Sequence, residues 1–296
     1  MVEDQPNRQL LRIGIPKGSL QDATVEMLDR AGYNVDVATR SYMPTIDDPN
    51  MTCVMFRSQE MSRYVEEGVI DVGITGQDWI IENDSDVHEV CELNYSKATS
   101  GGVRWVLAVP EESSCHEPQQ LAGGIIATEL VNTTRRYFAK NAIDVKVEFS
   151  WGATEVKARL VDAIVDVIET GSSLRANKLR IIDTLCVSST RLIANRQAWM
   201  DDQKRQRIED LSLLLEGAIN ARSKVGLKMN VPRSQLESVL KLLPAERSPT
   251  VNELADSQWV AVEVVVEEKV ERDLVPGLRR VGARGICSYP LNKVIA

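Results

Sequence analysis

The residues best placed to do chemistry fall into two short stretches that share a pattern. Asp71-Val72-Gly73-Ile74-Thr75-Gly76 and Asp166-Val167-Ile168-Glu169-Thr170-Gly171 each run from a carboxylate through apolar residues to Thr-Gly. In each, a strand would deliver a hydroxyl and a glycine to its carboxyl end, the edge at which open α/β sheets bind ligands. The second stretch continues into Ser172 and Ser173, so hydroxyls and a glycine gather at a helix start, where unpaired amides and the helix dipole favour an anion. Asp166, on the preceding strand, would point near that anion and could accept hydrogen bonds from vicinal ribose hydroxyls. A carboxylate beside an anion cradle suggests a phosphorylated sugar; the competing reading is that Thr-Gly-Ser-Ser simply caps a helix.

Other groups carry weaker signals. Lys17-Gly18-Ser19 sits between an apolar run and a helix, where a lysine beside a glycine either holds phosphate or is an ordinary α/β turn. Arg57 follows an apolar strand, and Arg135 and Arg136 are adjacent; each is an anion contact or a solvated surface arginine. Ser150-Trp151-Gly152-Ala153-Thr154-Glu155 is rich in small residues and reads as a substrate loop or a plain turn. Five cysteines, scattered and never in a Cys-x-x-Cys pair, suit reduced thiols, and with only two histidines no zinc ligand set exists. Any metal would arrive on a substrate as a hard cation. The net charge of -8 excludes a broad nucleic-acid surface, which needs clustered Lys and Arg.

Positioning these groups requires a sheet behind each. Leu11 to Pro16 has strand length, and Ser19 with Asp22 forms an acidic capping box for a helix whose Leu20, Ala23, Met27, Leu28 and Ala31 make one buried stripe. Strand Met51–Phe56, helix Ser58–Glu67 and strand Val69–Ile74 repeat the grammar, which implies right-handed crossovers in a largely parallel sheet. A second series has strands at Trp105–Val109, Ile125–Thr128, Val145–Phe149 and Ala163–Ile168, with helices at Asn132–Lys140 and Ser172–Lys178. The two α/β lobes would leave a cleft between them, and a helix over Met200–Lys224 would return to cover the first. From Val225 the order becomes βαββαβ, the ferredoxin-like arrangement shared by many small regulatory modules. The expected organisation is lobe I (1–99 and 190–224), lobe II (100–189) and a C-terminal domain (225–296).

Ile13-Gly14-Ile15-Pro16-Lys17-Gly18, Asp71 to Gly76, Glu155 to Leu174 and Gly282-Ala283-Arg284-Gly285-Ile286 together resemble the long form of the ATP phosphoribosyltransferase family, the first enzymes of histidine biosynthesis. The most specific match is Asp-Ala-Ile-x-Asp-x-x-x-Thr-Gly-x-x-Leu from Asp162 to Leu174. The resemblance implies a periplasmic-binding-protein-like catalytic core with a ferredoxin-like tail. It implies transfer of phosphoribosyl from phosphoribosyl pyrophosphate to N1 of ATP, with Mg2+ and release of pyrophosphate. It further implies histidine as an inhibitor sensed by the tail, and a homohexamer, with a dimer as the alternative. Carried over by position, Asp166 and the loop Glu169, Thr170, Gly171, Ser172 and Ser173 hold the donor. Glu155 and Asp162 stand among the substrate contacts. Lys17, Gly18, Arg57, Asp71, Thr75 and Gly76 form the facing wall for ATP or pyrophosphate, and Asp166 and Arg57 are the candidate catalytic pair. The sequence departs from the family at Gln59, where a lysine is expected, and at Ser173, which replaces a threonine but keeps the hydroxyl. The loop after Glu155 is shorter, and Arg159 stands where a glycine is common.

Two other classes share parts of this pattern. A two-lobed solute-binding protein would be exported, whereas the polar N-terminus shows no apolar signal core. A transcriptional regulator would need a DNA-reading helix pair before the first strand. A cytoplasmic enzyme with no membrane and no nucleic-acid partner is the expectation.

Overall fold

The computed structural model describes residues 10–38, 41–95, 102–169, 171–244 and 249–295. The first apolar run forms strand β1 (Leu11–Lys17), followed by helix α1 (Gln21–Ala31), a short ribbon of β2 (Val35–Asp36) and β3 (Thr45–Ile46), and then β4 (Met51–Arg57). Helix α2 (Ser58–Glu66), strand β5 (Val72–Gly76), helix α3 (Gln77–Asn83) and strand β6 (His88–Glu92) complete this passage. The expected Ser19–Asp22 capping box does not form: α1 begins one residue later than that box requires, with Leu20 at the N-cap and no side-chain cap. Gly32 ends the helix in the left-handed region as read, at φ 99°.

The chain then crosses into a second sheet with β7 (Val103–Pro110), β8 (Ile125–Thr128), α4 (Val131–Lys140), β9 (Lys146–Phe149), α5 (Thr154–Lys157), β10 (Ala163–Ile168), α6 (Ser172–Ala176) and β11 (Leu179–Ser188). It returns through β12 (Thr190–Ala194), followed by α7 (Arg196–Met200) and the long α8 (Asp202–Ala221).

The first sheet has the order β4-β1-β5-β12-β6 and the second β11-β7-β10-β8-β9. These are the same topology. In each, a central strand (β5 or β10) lies between a parallel neighbour (β1 or β8) and an antiparallel strand that has come over from the other lobe (β12 or β7). The alternation of strand and helix, each burying one apolar face, produces this two-lobed α/β core. The carboxyl ends of β1, β4, β5 and β10 all open on the space between the lobes, because parallel strands deliver their ends to one edge.

Two compact units divide inside α8, between Ser212 and Leu213. The second unit contains β13 (Lys224–Pro232), α9 (Leu236–Leu240), β14 (Thr250–Glu253), β15 (Trp259–Glu267), α10 (Glu268–Arg280) and β16 (Arg284–Pro290). Its sheet order β14-β15-β13-β16, antiparallel throughout, is ferredoxin-like. Alternate residues Val260, Val262, Val264 and Val266 of β15 meet Leu227, Met229 and Val231 of β13 beneath Leu278 and Val239 of the helices. A period of two on the strands thus dictates which face the helices cover.

Candidate active site

A cleft of about 650 Å³ lies between the two lobes of the first unit. One wall comes from lobe I. Strand β1 ends in Lys17, and Gly18 at φ 109° lets the chain turn sharply into α1. The Lys17 ammonium lies 3.7 Å from the centroid of the Tyr42 ring and 3.5 Å from the Ser41 carbonyl. Arg57 stands at the extended N-cap of α2, with Ser58 and Gln59 on the first turn. Neither Lys17 nor Arg57 makes an ion pair among the described residues, so this wall presents two cations with no counter-ion among those residues.

The opposite wall is acidic. Asp166 near the end of β10, Glu169 just beyond it and Glu129 after β8 all line the cleft. Burial pushes the Asp166 carboxyl up to about 6; the Val167 amide, donating to Oδ1 at 2.8 Å, opposes the rise, and the charges of Glu155 and Glu129 add to it. A carboxylate held among carboxylates and away from water is poised for a ligand that brings hydroxyl donors or a cation. Gln59 reaches across the cleft and donates to Glu129 at 3.3 Å.

Of the residues expected from sequence, Lys17, Gly18, Arg57, Gly76, Asp166 and Glu169 line this cleft. Several others do not. Asp71 precedes β5 and so lies about 16 Å along the strand from Gly76. It is buried and accepts the Arg12 amide at 2.8 Å, the Arg12 guanidinium at 2.8 and 3.1 Å, and the Lys204 ammonium at 2.8 Å. Burial pulls its pKa upward, but the hydrogen bonds from Arg12 and Lys204 outweigh this and hold it below the ordinary value. Asp71 is therefore a lock between β1, β5 and α8. The equivalence between Asp71 and Asp166 is also corrected: the counterpart of Asp71 is Asp162, whose carboxylate likewise takes the amide of the neighbouring strand, Ile125, at 2.8 Å. Asp162 thus stands at the far end of β10 from the cleft.

Thr75 is fully buried and its hydroxyl donates to the Ser58 carbonyl at 2.8 Å, which fixes the first turn of α2 and is unavailable to a substrate. Thr170 lies outside the described residues. Gly171 takes φ 70° at the N-cap of α6, a helix of only five residues, so little macrodipole stands behind Ser172 and Ser173. The Ser173 hydroxyl donates to Glu155 at 3.0 Å. Glu155, whose charge acts on Asp166, is thereby tied to Ser173, and neither of them, nor Gly171 or Ser172, lines the cleft itself.

The sequence reading overlooked Tyr42, Asp78, Trp105, Glu129 and Ser188 among the cleft residues. An acid two residues after Thr75-Gly76 was the available signal for Asp78, since acids favour a helix's first turn. Gly76 has a packing reason to be glycine: a Cβ there would sit 2.1 Å from Asp78 Oδ1.

The chain has known relatives over nearly its whole length. Residues 57–217 fit the model of the family described as ATP phosphoribosyltransferase, and residues 221–293 fit that of its C-terminal domain. The ATP phosphoribosyltransferase of Pelodictyon phaeoclathratiforme is 56% identical over 288 residues, covering 97% of this chain and 98% of that one. The chain belongs to the ATP phosphoribosyltransferase family. It is thereby a phosphoribosyl-transferring enzyme of histidine biosynthesis. The ATP phosphoribosyltransferase of Solibacter usitatus is 54% identical over 287 residues, with 97% and 99% of the two chains covered. A chain of the ATP phosphoribosyl transferase (HisG:HisZ) complex from Thermotoga maritima superposes with TM-score 0.60 at 26% identity, over 70% of this chain and 99% of that one. That match leaves about 30% of this chain without a counterpart, whereas the relatives from Pelodictyon and Solibacter are matched over 97% of it. No helix of the described residues is long and apolar enough to cross a membrane.

Proposed function

We propose that the cleft binds phosphoribosyl pyrophosphate and ATP side by side and transfers the 5-phosphoribosyl group to N1 of the adenine, giving N1-(5-phosphoribosyl)-ATP and pyrophosphate. The observation that carries this reading is the separation of charge across the cleft, with Lys17 and Arg57, neither in an ion pair among the described residues, on one wall and Asp166, Glu129 and Glu169 on the other. The basic wall suits the phosphates of ATP and the departing pyrophosphate, and the acidic wall suits ribose hydroxyls. The segment 169–173, with the amides and hydroxyls of Thr170, Ser172 and Ser173 as its expected donors, takes the 5-phosphate, and Glu155 braces Ser173.

The chemistry asks little covalent help of the protein. As the bond from C1 of the ribose to pyrophosphate breaks, the leaving group takes the electron pair and C1 becomes cation-like; the lone pair of N1 then forms the new bond. Orientation of two substrates and stabilisation of separating charge are the main requirements. Asp166, ionised, would accept the ribose hydroxyls and favour the developing positive charge, while Arg57 and Lys17 stabilise the pyrophosphate. Because N1 carries a free lone pair, no general base is needed to activate it.

Mg2+ fits as part of the substrate complex. The cleft offers hard carboxylate oxygens from Asp166 and Glu129, and among the described residues no group of three or more acids, cysteines or histidines is arranged to hold a metal by itself. When bound with the donor, the ion neutralises pyrophosphate charge.

The C-terminal unit is the proposed regulatory domain, binding histidine as a feedback inhibitor that biases the catalytic core toward an inactive state. A cytoplasmic homohexamer, with a dimer as the smaller alternative, is the proposed form. The deciding experiment mixes the protein with ATP, phosphoribosyl pyrophosphate and Mg2+ and follows N1-substituted product with and without histidine. Absence of product with intact protein would defeat the reading. Removal of the chain after Lys224 should abolish the histidine response.

A further inference from the structure

Helix α3 follows β5 of lobe I, yet one face of it bonds to lobe II. Asp78 and Glu82 stand one helical turn apart on that face, and both are buried. The indole N–H of Trp105, on β7, donates to Asp78 Oδ2 at 2.6 Å, and the Trp79 ring packs edge-on against Trp105 with centroids 6.0 Å apart. At the next turn Glu82 accepts the backbone amides of Asn132 and Thr133 and the Thr133 hydroxyl, each at 2.8 Å. These amides belong to the first turn of α4, whose own N-cap residue, Leu130, supplies no side-chain cap. The capping is reciprocal. Asn132 Nδ2 donates to the Glu82 carbonyl at 3.1 Å and Arg136 to the Ile81 carbonyl at 2.5 Å, at the end of α3. Each helix terminus thus satisfies backbone groups of the other that would be orphaned if the lobes parted.

This joint connects directly to both walls of the cleft. On the lobe II side, Trp105 pairs in register with Val167, the residue after Asp166. On the lobe I side, the Ser62 hydroxyl donates to the Trp79 carbonyl at 3.2 Å, and Asn83 Nδ2 donates to the Gln59 carbonyl and the Ser62 hydroxyl at 2.9 Å. These bonds tie α3 to α2, and α2 carries Arg57 and Gln59 at its start. A continuous set of contacts therefore runs from Arg57 to Asp166 along the back of the cleft, through Asp78, Trp79 and Trp105, which themselves line it.

We propose that Asp78 and Glu82 are positioning residues: together they clamp α3 to lobe II and so hold the basic and acidic walls at the separation the two substrates require. Neither touches the reacting atoms in this account. The kinetic part rests on the proposed transfer reaction; the clamp itself does not. Since reacting groups displaced by about 1 Å can lose on the order of 10²-fold in rate, a joint that fixes wall separation has catalytic consequences from a distance.

The test uses the full chain with Glu82→Gln and Trp105→Phe. The first replaces an acceptor-only group with one that presents an N–H₂ toward amide donors, and the second removes a donor while keeping an aromatic ring. Spin labels carried on non-natural residues at exposed Asp22 on α1 and exposed Lys140 on α4 report the distance between lobes by pulsed electron resonance. The expected result is a broadened distance distribution in both variants. With it should come a rise of about 10-fold in KM for both substrates together and a lower kcat, measured well below the unfolding temperature. An unchanged distribution with unchanged KM values overturns the clamp. Should Glu82→Gln fail to fold, Trp105→Phe alone decides the matter by the same two readouts. A wild-type protein without transferase activity but with the variant-dependent broadening would refute the proposed reaction and leave the clamp supported.

Discussion

The carboxyl ends of β5 and β10 occupy equivalent places in two sheets of the same topology, yet they have been put to different uses. At the end of β5 the polar groups are consumed internally: Thr75 holds the Ser58 carbonyl, and Asp78, packed against Gly76, takes the Trp105 N–H. At the end of β10 the Asp166 carboxylate accepts, among the described residues, one hydrogen bond from its own neighbour, Val167, and feels the charges of Glu155 and Glu129. One turn satisfies its polar groups and fastens the lobes; the other leaves a carboxylate strained by its surroundings. Fold stability accounts for the first, and the binding of a sugar donor is the proposed account of the second.

The sharpest break of this comparison is Asp166→Asn. Turnover should fall about 10²-fold or more, while thermal unfolding should move to higher temperature at neutral pH. The second half follows from the raised pKa: an acid that ionises less readily folded than unfolded penalises the folded state as pH rises from its ordinary value through about 6, and asparagine removes that penalty. A variant with lower stability and near-normal kinetics would place Asp166 with the structural residues instead.

The pH profile sharpens the same point. If the ionised form of Asp166 binds the ribose, kcat/KM for the sugar donor should fall as pH drops below about 6, approaching tenfold per unit, and level off above it. The limb should vanish in Asp166→Asn, measured at saturating ATP.

Asp71→Asn addresses the other lobe. It breaks a buried carboxylate's bonds to Arg12 and Lys204 and should cost about 2–4 kcal/mol of stability, toward the lower end because the Arg12 side chain is 44% exposed. KM and kcat per folded molecule should stay at wild-type values. The held-down pKa adds a sign: this stabilisation is complete above the ordinary carboxylate range and is lost as pH falls through the lower folded pKa. Acid unfolding of the wild type and Asp71→Asn should therefore converge at low pH. Thr75→Val, the smallest change, leaves the Ser58 carbonyl without its hydroxyl donor and should cost about 1–2 kcal/mol with a few-fold rise in KM for the substrate contacting Arg57. A large loss of kcat in that variant would restore Thr75 to the substrate site.

Much of the architecture was legible because periodicity reports it directly. The stripe Leu20, Ala23, Met27, Leu28 and Ala31 gave α1, although Leu20 is its half-exposed N-cap and Thr24 is buried where Ala23 is only half-buried, and the β-branched run before Glu267 gave β15. Helix α3 was missed because seven residues span too few turns to show a stripe. Its importance lies in Asp78, Trp79 and Glu82, whose contacts with Trp105 and Thr133 of the other lobe span 26 to 51 residues. The pairing of Asp71 with Asp166 failed for a related reason: similar spacing to a Thr-Gly does not reveal at which end of a strand an acid stands.

The linear order of residues was enough to determine two α/β lobes, a βαββαβ tail, and the chemical types gathered around Asp166, since these depend on local pattern and residue identity. Only the folded chain decided which carboxylates face the cleft, which hydroxyls are already spent, and how the lobes are fastened. Those outcomes turn on hydrogen-bond partners brought together by strand register and sheet order, and a partner distant along the chain leaves no periodic trace at the residue it satisfies.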